Sequence, residues 1–107
     1  MVENQFLQEV QTIIKANLSD AQFQVPELAA ACQLGRTQLF RKLKAISNQS
    51  PADVLRTARL QHANNLLQTT QLTIAEITYQ SGFKSAAHFA KLYKKYFGKT
   101  PSEVRKS

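Results

Sequence analysis

The chain has 107 residues, 43% of them hydrophobic and 20% charged, with three glycines, three prolines and one cysteine. That is enough apolar material for one small domain, or for two half-sized units sharing a connector, and it excludes global disorder. Fourteen lysines and arginines against seven acids leave a net charge of +7, which points to an anionic partner, either a nucleic acid or a membrane surface. Cys32 stands alone, so neither an intramolecular disulfide nor a thiolate zinc site can form, and a buried, inert thiol is expected. The sequence shows no signal-peptide pattern and no apolar run of membrane-spanning length, so a cytoplasmic location and no membrane partner are expected.

Few glycines and prolines and almost no period-two alternation predict an all-α fold of seven helices. The first is expected over about residues 3–17, with Phe6, Leu7, Val10, Ile13 and Ile14 on one face. Asn17 to Asp20 reads as a break. A second helix spans about residues 25–32, and a tight turn around Gln33, Leu34 and Gly35 leads into a third over about 36–47. The third buries Leu39, Leu43 and Ile46, and Asn48 suits a left-handed cap at its end. Ser50, Pro51 and Asp53 give a fourth helix its N-cap, its first-turn proline and its first-turn acid. It continues to about Leu67, with Val54, Leu55, Ala58, Ala63, Leu66 and Leu67 available to bury. Thr73 with Glu76 forms a capping-box signature for a fifth helix over about residues 74–81, and Gly82 with Phe83 makes the next turn. The sixth runs over about residues 86–97 from Ser85 to Gly98, and Thr100, Pro101 and Glu103 open a short seventh.

The two halves repeat one another. Val25, Glu27 and Leu28 return as Ile74, Glu76 and Ile77, and Leu39, Arg41, Leu43 and Lys44 return as Phe89, Lys91, Tyr93 and Lys94. Asn48, Ser50, Pro51, Asp53 and Val54 return as Gly98, Thr100, Pro101, Glu103 and Val104. The division expected from this is residues 1–50 as a first helix-turn-helix subdomain, 51–68 as a connector helix and 69–107 as a second subdomain. In each half a short helix braces a second, basic one. Residues 36–44 and 84–99 hold nine of the fourteen basic residues and none of the seven acids, whereas a merely solvated surface would mix the signs.

On the third helix Arg36, Thr37, Phe40, Arg41 and Lys44 share the outer face. Arg41 is the leading base reader, because a guanidinium can grip guanine O6 and N7 together. Thr37 could read a base or hold a phosphate. Phe40 has two open readings: a partly buried core aromatic, or an apolar contact to a thymine methyl. Lys42 and Lys44 suit phosphates. On the sixth helix Phe89, Tyr93 and Phe97 face inward, leaving Ala87, His88 and Lys91 outward, with Lys84, Lys94 and Lys95 for phosphates. His88 is either a base contact or an ordinary surface residue, and His62 reads as structural. A connector of about 17 residues spans roughly 25 Å, which with the half-widths of the units approaches the ~34 Å turn of duplex DNA.

These residues resemble the DNA-binding domain of the AraC/XylS family of bacterial transcription regulators over about residues 22–105. The resemblance rests on Glu27-Leu28-Ala29, the run Gln38 to Lys44, Ser50-Pro51, Arg59-Leu60 with Ala63 and Leu66-Leu67, Glu76-Ile77, Gly82-Phe83, His88-Phe89, Tyr93 to Gly98 and Thr100 to Glu103. The first helix and the Gln38 to Lys44 run further resemble output domains of hybrid two-component sensor regulators. The resemblance implies two helix-turn-helix units in successive major grooves, base contacts at Arg36, Thr37, Phe40, Arg41, Ala87, His88 and Lys91, and RNA polymerase as a promoter partner. Gly35, Thr78, Ala87 and Val104 depart from the family's usual serine, alanine, polar and aromatic residues, and Ala87 implies less stringent reading by the second unit. A sensing or receiver domain usually accompanies such a domain, so a C-terminal fragment of a larger regulator is expected. The isolated domain should be monomeric, with dimerisation open for the longer protein.

No paired carboxylates, nucleophile with base, Gly-rich phosphate loop or metal-ligand cluster is evident, so neither an enzyme nor a cofactor or metal site is expected. A membrane-surface protein would need exposed apolar bulk on a basic helix. The competing readings are an RNA-binding module, disfavoured by the shortage of exposed aromatics for stacking, and a protein–protein adaptor on the same scaffold. Sequence-specific binding of double-stranded DNA for transcription regulation is the expected function.

Overall fold

The computed structural model describes residues 2–106, leaving Met1 and Ser107 outside. Among the described residues the chain is all-helical, in the order α1 (Val2–Ala16), α2 (Val25–Ala31), α3 (Arg36–Ser47), α4 (Pro51–Thr69), α5 (Ile74–Gln80), α6 (Ala86–Phe97) and α7 (Pro101–Lys106). None of these helices is long and apolar enough to cross a membrane.

Capping chemistry sets the helix starts. The Ser50 hydroxyl accepts from Asp53 N–H at 3.2 Å, and the Ser85 hydroxyl accepts from His88 N–H at 3.3 Å. Thr73 and Glu76 form a reciprocal capping box, at 2.9 and 3.0 Å, and Thr100 and Glu103 form another, at 2.9 and 3.1 Å. Left-handed Asn48 (φ 58°) and Gly98 (φ 84°) end α3 and α6, each donating its N–H to the carbonyl of Lys44 or Lys94.

The contacts divide the chain into two units. The first comprises residues up to Asn17 together with Gln22–Ala58. Its core joins Val10 and Ile14 of α1, Phe23 of the segment before α2, Leu28 and Ala29 of α2, Leu39 and Leu43 of α3, and Val54 and Leu55 of α4. Ile46 is only half-buried, short of its expected core place.

The second unit comprises Leu18–Ala21 and the chain from Arg59 onward. Leu60, Ala63 and Leu67 of α4 meet Ile77 of α5, Phe83 of the turn, and Phe89 and Tyr93 of α6. An aromatic series binds this core, with ring centroids 5.1 Å apart for Phe83–Phe89, 5.7 Å for Phe89–Tyr93 and 4.5 Å for Tyr93–Phe97. The Tyr93 hydroxyl donates to Asn64 Oδ1 at 2.7 Å, and burial pushes its phenol pKa up.

The division differs from an independent connector between two sequence halves. Pro51–Ala58 of α4 belongs to the first unit and its remainder to the second, and the short segment between α1 and α2 joins the second unit as well. Buried Arg59 explains the latter: its Nη2 donates to the Asp20 carbonyl at 2.9 Å. Burial lowers the Arg59 pKa while the Asp20 charge opposes the shift. Arg105 closes the far end of α4, donating to the carbonyls of Leu67, Thr70 and Leu72. A cation there also suits the negative end of the helix dipole.

The two interhelix turns share one geometry. Gln33 N–H donates to Ala30 O and Leu34 N–H to Ala29 O, each at 3.0 Å. In the second unit Gly82 N–H donates to Tyr79 O and Phe83 N–H to Thr78 O, each at 3.1 Å. This pair of bonds is the Schellman arrangement, and it needs a positive φ at its central residue. Gly82 supplies φ 83°, whereas the first turn forces Gln33 to φ 59°. A Cβ on Gly82 would also overlap the Leu18 carbonyl oxygen and the Arg59 guanidinium.

Gly82→Ala is therefore expected to destabilise the chain by about 2 kcal/mol or more, and Gln33→Gly to stabilise it by up to about 1 kcal/mol. Urea denaturation checks both, and equal effects at the two turns would contradict the account. A second expectation concerns acid. Hydrogen bonds from Ser50 lower the Asp53 pKa, and those from Thr73 and Thr100 lower Glu76 and Glu103. The folded state thus binds fewer protons than the unfolded one near these pKa values. Their stabilisation is present above the ordinary values of 3.8 and 4.5 and is lost as pH falls through the lower folded values. Replacing Glu76 and Glu103 together by Gln should flatten the fall of the urea midpoint on acidification.

Candidate nucleic-acid interface

In each unit a short helix supports a longer basic one. α1 and α2 both pack against α3, and α5 packs against α6. Leu39 and Leu43 anchor α3, while Phe89 and Tyr93 anchor α6, and all four are fully buried. The opposite faces are open. Arg36, Thr37, Phe40, Arg41, Lys42 and Lys44 are exposed, as are Lys84, Ala87, His88, Lys91, Lys94 and Lys95. Every site residue read from the sequence is thus accessible, and none is consumed by a core.

The side chains differ in what else they do. Phe40 is 47% exposed, which removes the core reading and leaves an aromatic ring on the outer surface. Lys42 turns to the flank of α3, where its Nζ lies 4.4 Å from the centre of the Phe6 ring of α1. It stands about 100° around the helix from Arg41, so it belongs to a different strip from the other cations. Lys44 reaches the end of its own helix and donates to the Asn48 carbonyl at 3.4 Å. On α6, Lys94 lies near enough to Glu103 to help lower that carboxyl's pKa.

One further residue departs from the sequence reading. Cys32 is half-buried rather than buried, and desolvation followed by the Glu9 charge raises its pKa, with Lys42 opposing. That thiol stays protonated near neutral pH. Arg59 and Arg105, which lie outside the two acid-free basic segments, are committed to backbone carbonyls. Only tertiary contacts identify them as structural. His62 on α4 is half-buried and desolvation lowers its pKa, in keeping with a structural residue.

A bracing helix, a turn closed by one left-handed residue and a second helix with an exposed basic face define each unit as a helix-turn-helix of the DNA-binding class. A family model described as a helix-turn-helix domain matches residues 28–107. The chain belongs to that family, the AraC-type DNA-binding domains, which are not enzymes.

The chain is 36% identical over 104 residues to histidine kinase P4 of Formosa agariphila, which covers 97% of the chain but 8% of the kinase. It is 35% identical over 99 residues to the HTH-type transcriptional regulator GbdR of Pseudomonas aeruginosa, covering 92% of the chain and 27% of the regulator. The chain therefore spans only a small part of these relatives. Among solved structures, the C-terminal domain of the two-component response regulator yesN from Fusobacterium nucleatum matches with a TM-score of 0.86 and 31% identity, over 94% of this chain and 98% of that one. The DNA-binding domain of AdpA, solved in complex with a target DNA, matches with a TM-score of 0.85 and 27% identity, over 92% and 88% of the two chains.

The burial pattern separates fold residues from surface residues on one helix. Leu39→Ala should cost about 2–5 kcal/mol of stability, whereas Phe40→Ala, one residue on, should cost less than about 1 kcal/mol. Thermal or urea unfolding of the two variants checks this. A Phe40→Ala loss as large as that of Leu39→Ala would return Phe40 to the core.

Proposed function

We propose that this domain binds double-stranded DNA in a sequence-specific manner and serves transcription regulation. The observation that carries the reading is the pairing of two helix-turn-helix units whose second helices bury apolar residues on one side and expose acid-free, cation-bearing faces on the other. Duplex DNA is a polyanion whose major groove admits such a helix.

In this reading Arg36, Thr37, Phe40 and Arg41 of α3, and Ala87, His88 and Lys91 of α6, meet base edges. Lys44, Lys84, Lys94 and Lys95 meet phosphates, and Lys42 does so only if it leaves the Phe6 ring. The two units are proposed to occupy two successive major grooves, which are spaced by about 34 Å. The relatives named as transcriptional regulators and the response-regulator neighbour support placing the domain at the output end of a longer protein. RNA polymerase is the proposed partner of that protein at promoters, and the isolated domain is proposed to act as a monomer.

α3 and α6 divide the work unequally. α3 offers Arg36 and Arg41, whose planar guanidiniums suit bidentate base contacts, whereas α6 offers Ala86 and Lys91 at the repeated positions. Arg41→Ala is expected to weaken a selected site by about 1–3 kcal/mol while changing random duplex far less. Lys94→Ala should weaken both alike and reduce the salt slope by about one phosphate contact. Fluorescence anisotropy at several salt concentrations measures both quantities. An Arg41→Ala variant with undiminished preference for the selected site would overturn the reader assignment.

A further inference from the structure

The N3 positions of α2 to α7 follow a rule that charge counting does not reveal. N3 is Glu27 in α2, Asp53 in α4, Glu76 in α5 and Glu103 in α7. Each of these acids sits where a carboxylate suits the free N–H groups and positive end of a helix. The two exceptions are Gln38 in α3 and His88 in α6. They occupy corresponding places in the internal repeat, fifty positions apart. Among α2 to α7, N3 thus lacks an acid only on the two basic helices.

Gln38 still performs the capping half that a glutamate would. Its Oε1 accepts from the Gly35 N–H at 3.0 Å. Since that donor is a backbone N–H, the amide atom facing it must be the oxygen. The amide is therefore held in one orientation, with its Nε2 on the other side, and the residue is exposed. Gln38 also lies about 60° around the helix from Arg41, on the side of Lys42, whereas Thr37 lies about 40° away on the other side.

Building on the DNA-binding reading above, we propose that Gln38 is a further specificity-determining residue, whose cap-locked amide presents its NH2 as a hydrogen-bond donor to a base edge beside the one gripped by Arg41. A fixed donor favours an acceptor edge. Guanine, with O6 and N7, ranks first, and thymine O4 second. A carboxylate at this place would keep the cap but present no donor.

The test is in vitro selection from random duplexes with the wild-type chain, Gln38→Ala and Gln38→Glu. Gln38→Glu keeps the capping acceptor and so stays folded even if Gln38→Ala does not. Both variants are expected to lose the wild-type preference at one base pair by about fivefold or more while retaining it at the pair lost in Arg41→Ala. Gln38→Glu should turn toward cytosine, whose N4 donates. If either folded variant keeps the complete wild-type preference, this proposal fails while the function stands. A wild-type chain that selects no sequence at all would sink the function itself.

Discussion

A helix offered to a polyanion must bury one side for stability and carry no acid on the other, and these demands compete at its first turn. Carboxylates stabilise helix starts because four N–H groups there lack partners and the dipole is positive. This chain uses that stabilisation where it is harmless. Glu27, Glu76 and Glu103 each accept the N–H of their own N-cap residue at 2.9 Å. On α3 the same position holds Gln38, and on α6 His88, neither a carboxylate, with Ser85 supplying the cap on α6. The acid-free segments read from the sequence are thus part of a wider placement of charge, with acids held at the starts of supporting helices.

Much of this was legible because local rules dominate at these sites. α3 and α6 fall over the residues expected from periodicity, and the left-handed ends at Asn48 and Gly98 follow from residue type and position. Both Thr–Glu capping boxes form as their spacing requires. The first turn was located, but Gly35 in it is an ordinary extended N-cap with φ −72°, while Gln33 takes the left-handed conformation. Only alignment of the turn's hydrogen bonds with those around Gly82 identifies which residue bears the strain.

What the sequence hid depends on contacts between distant residues. Nothing local marks Arg59 as the clamp on Asp20, thirty-nine residues away, or Arg105 as the cap on α4. Both look like surface cations until burial and partners are known. Lys42 has the same ambiguity, and its place over Phe6 depends on how α1 packs. α4 runs to Thr69, two residues beyond Leu67, with the Thr69 and Thr70 hydroxyls bonding back to carbonyls one turn earlier. Polar residues at a helix end, bonded in this way, leave no apolar signal by which the sequence would mark it.

The central claim is that α3 and α6 both engage one duplex through its major groove, and hydroxyl-radical footprinting of the chain on a selected site tests it most directly. The account predicts two protected patches on one face of the DNA, about one helical turn apart. Replacing Arg41 should remove one patch, and replacing Lys91 should weaken the other. A single patch, indifferent to Lys91 and to the other outer cations of α6, would contradict it.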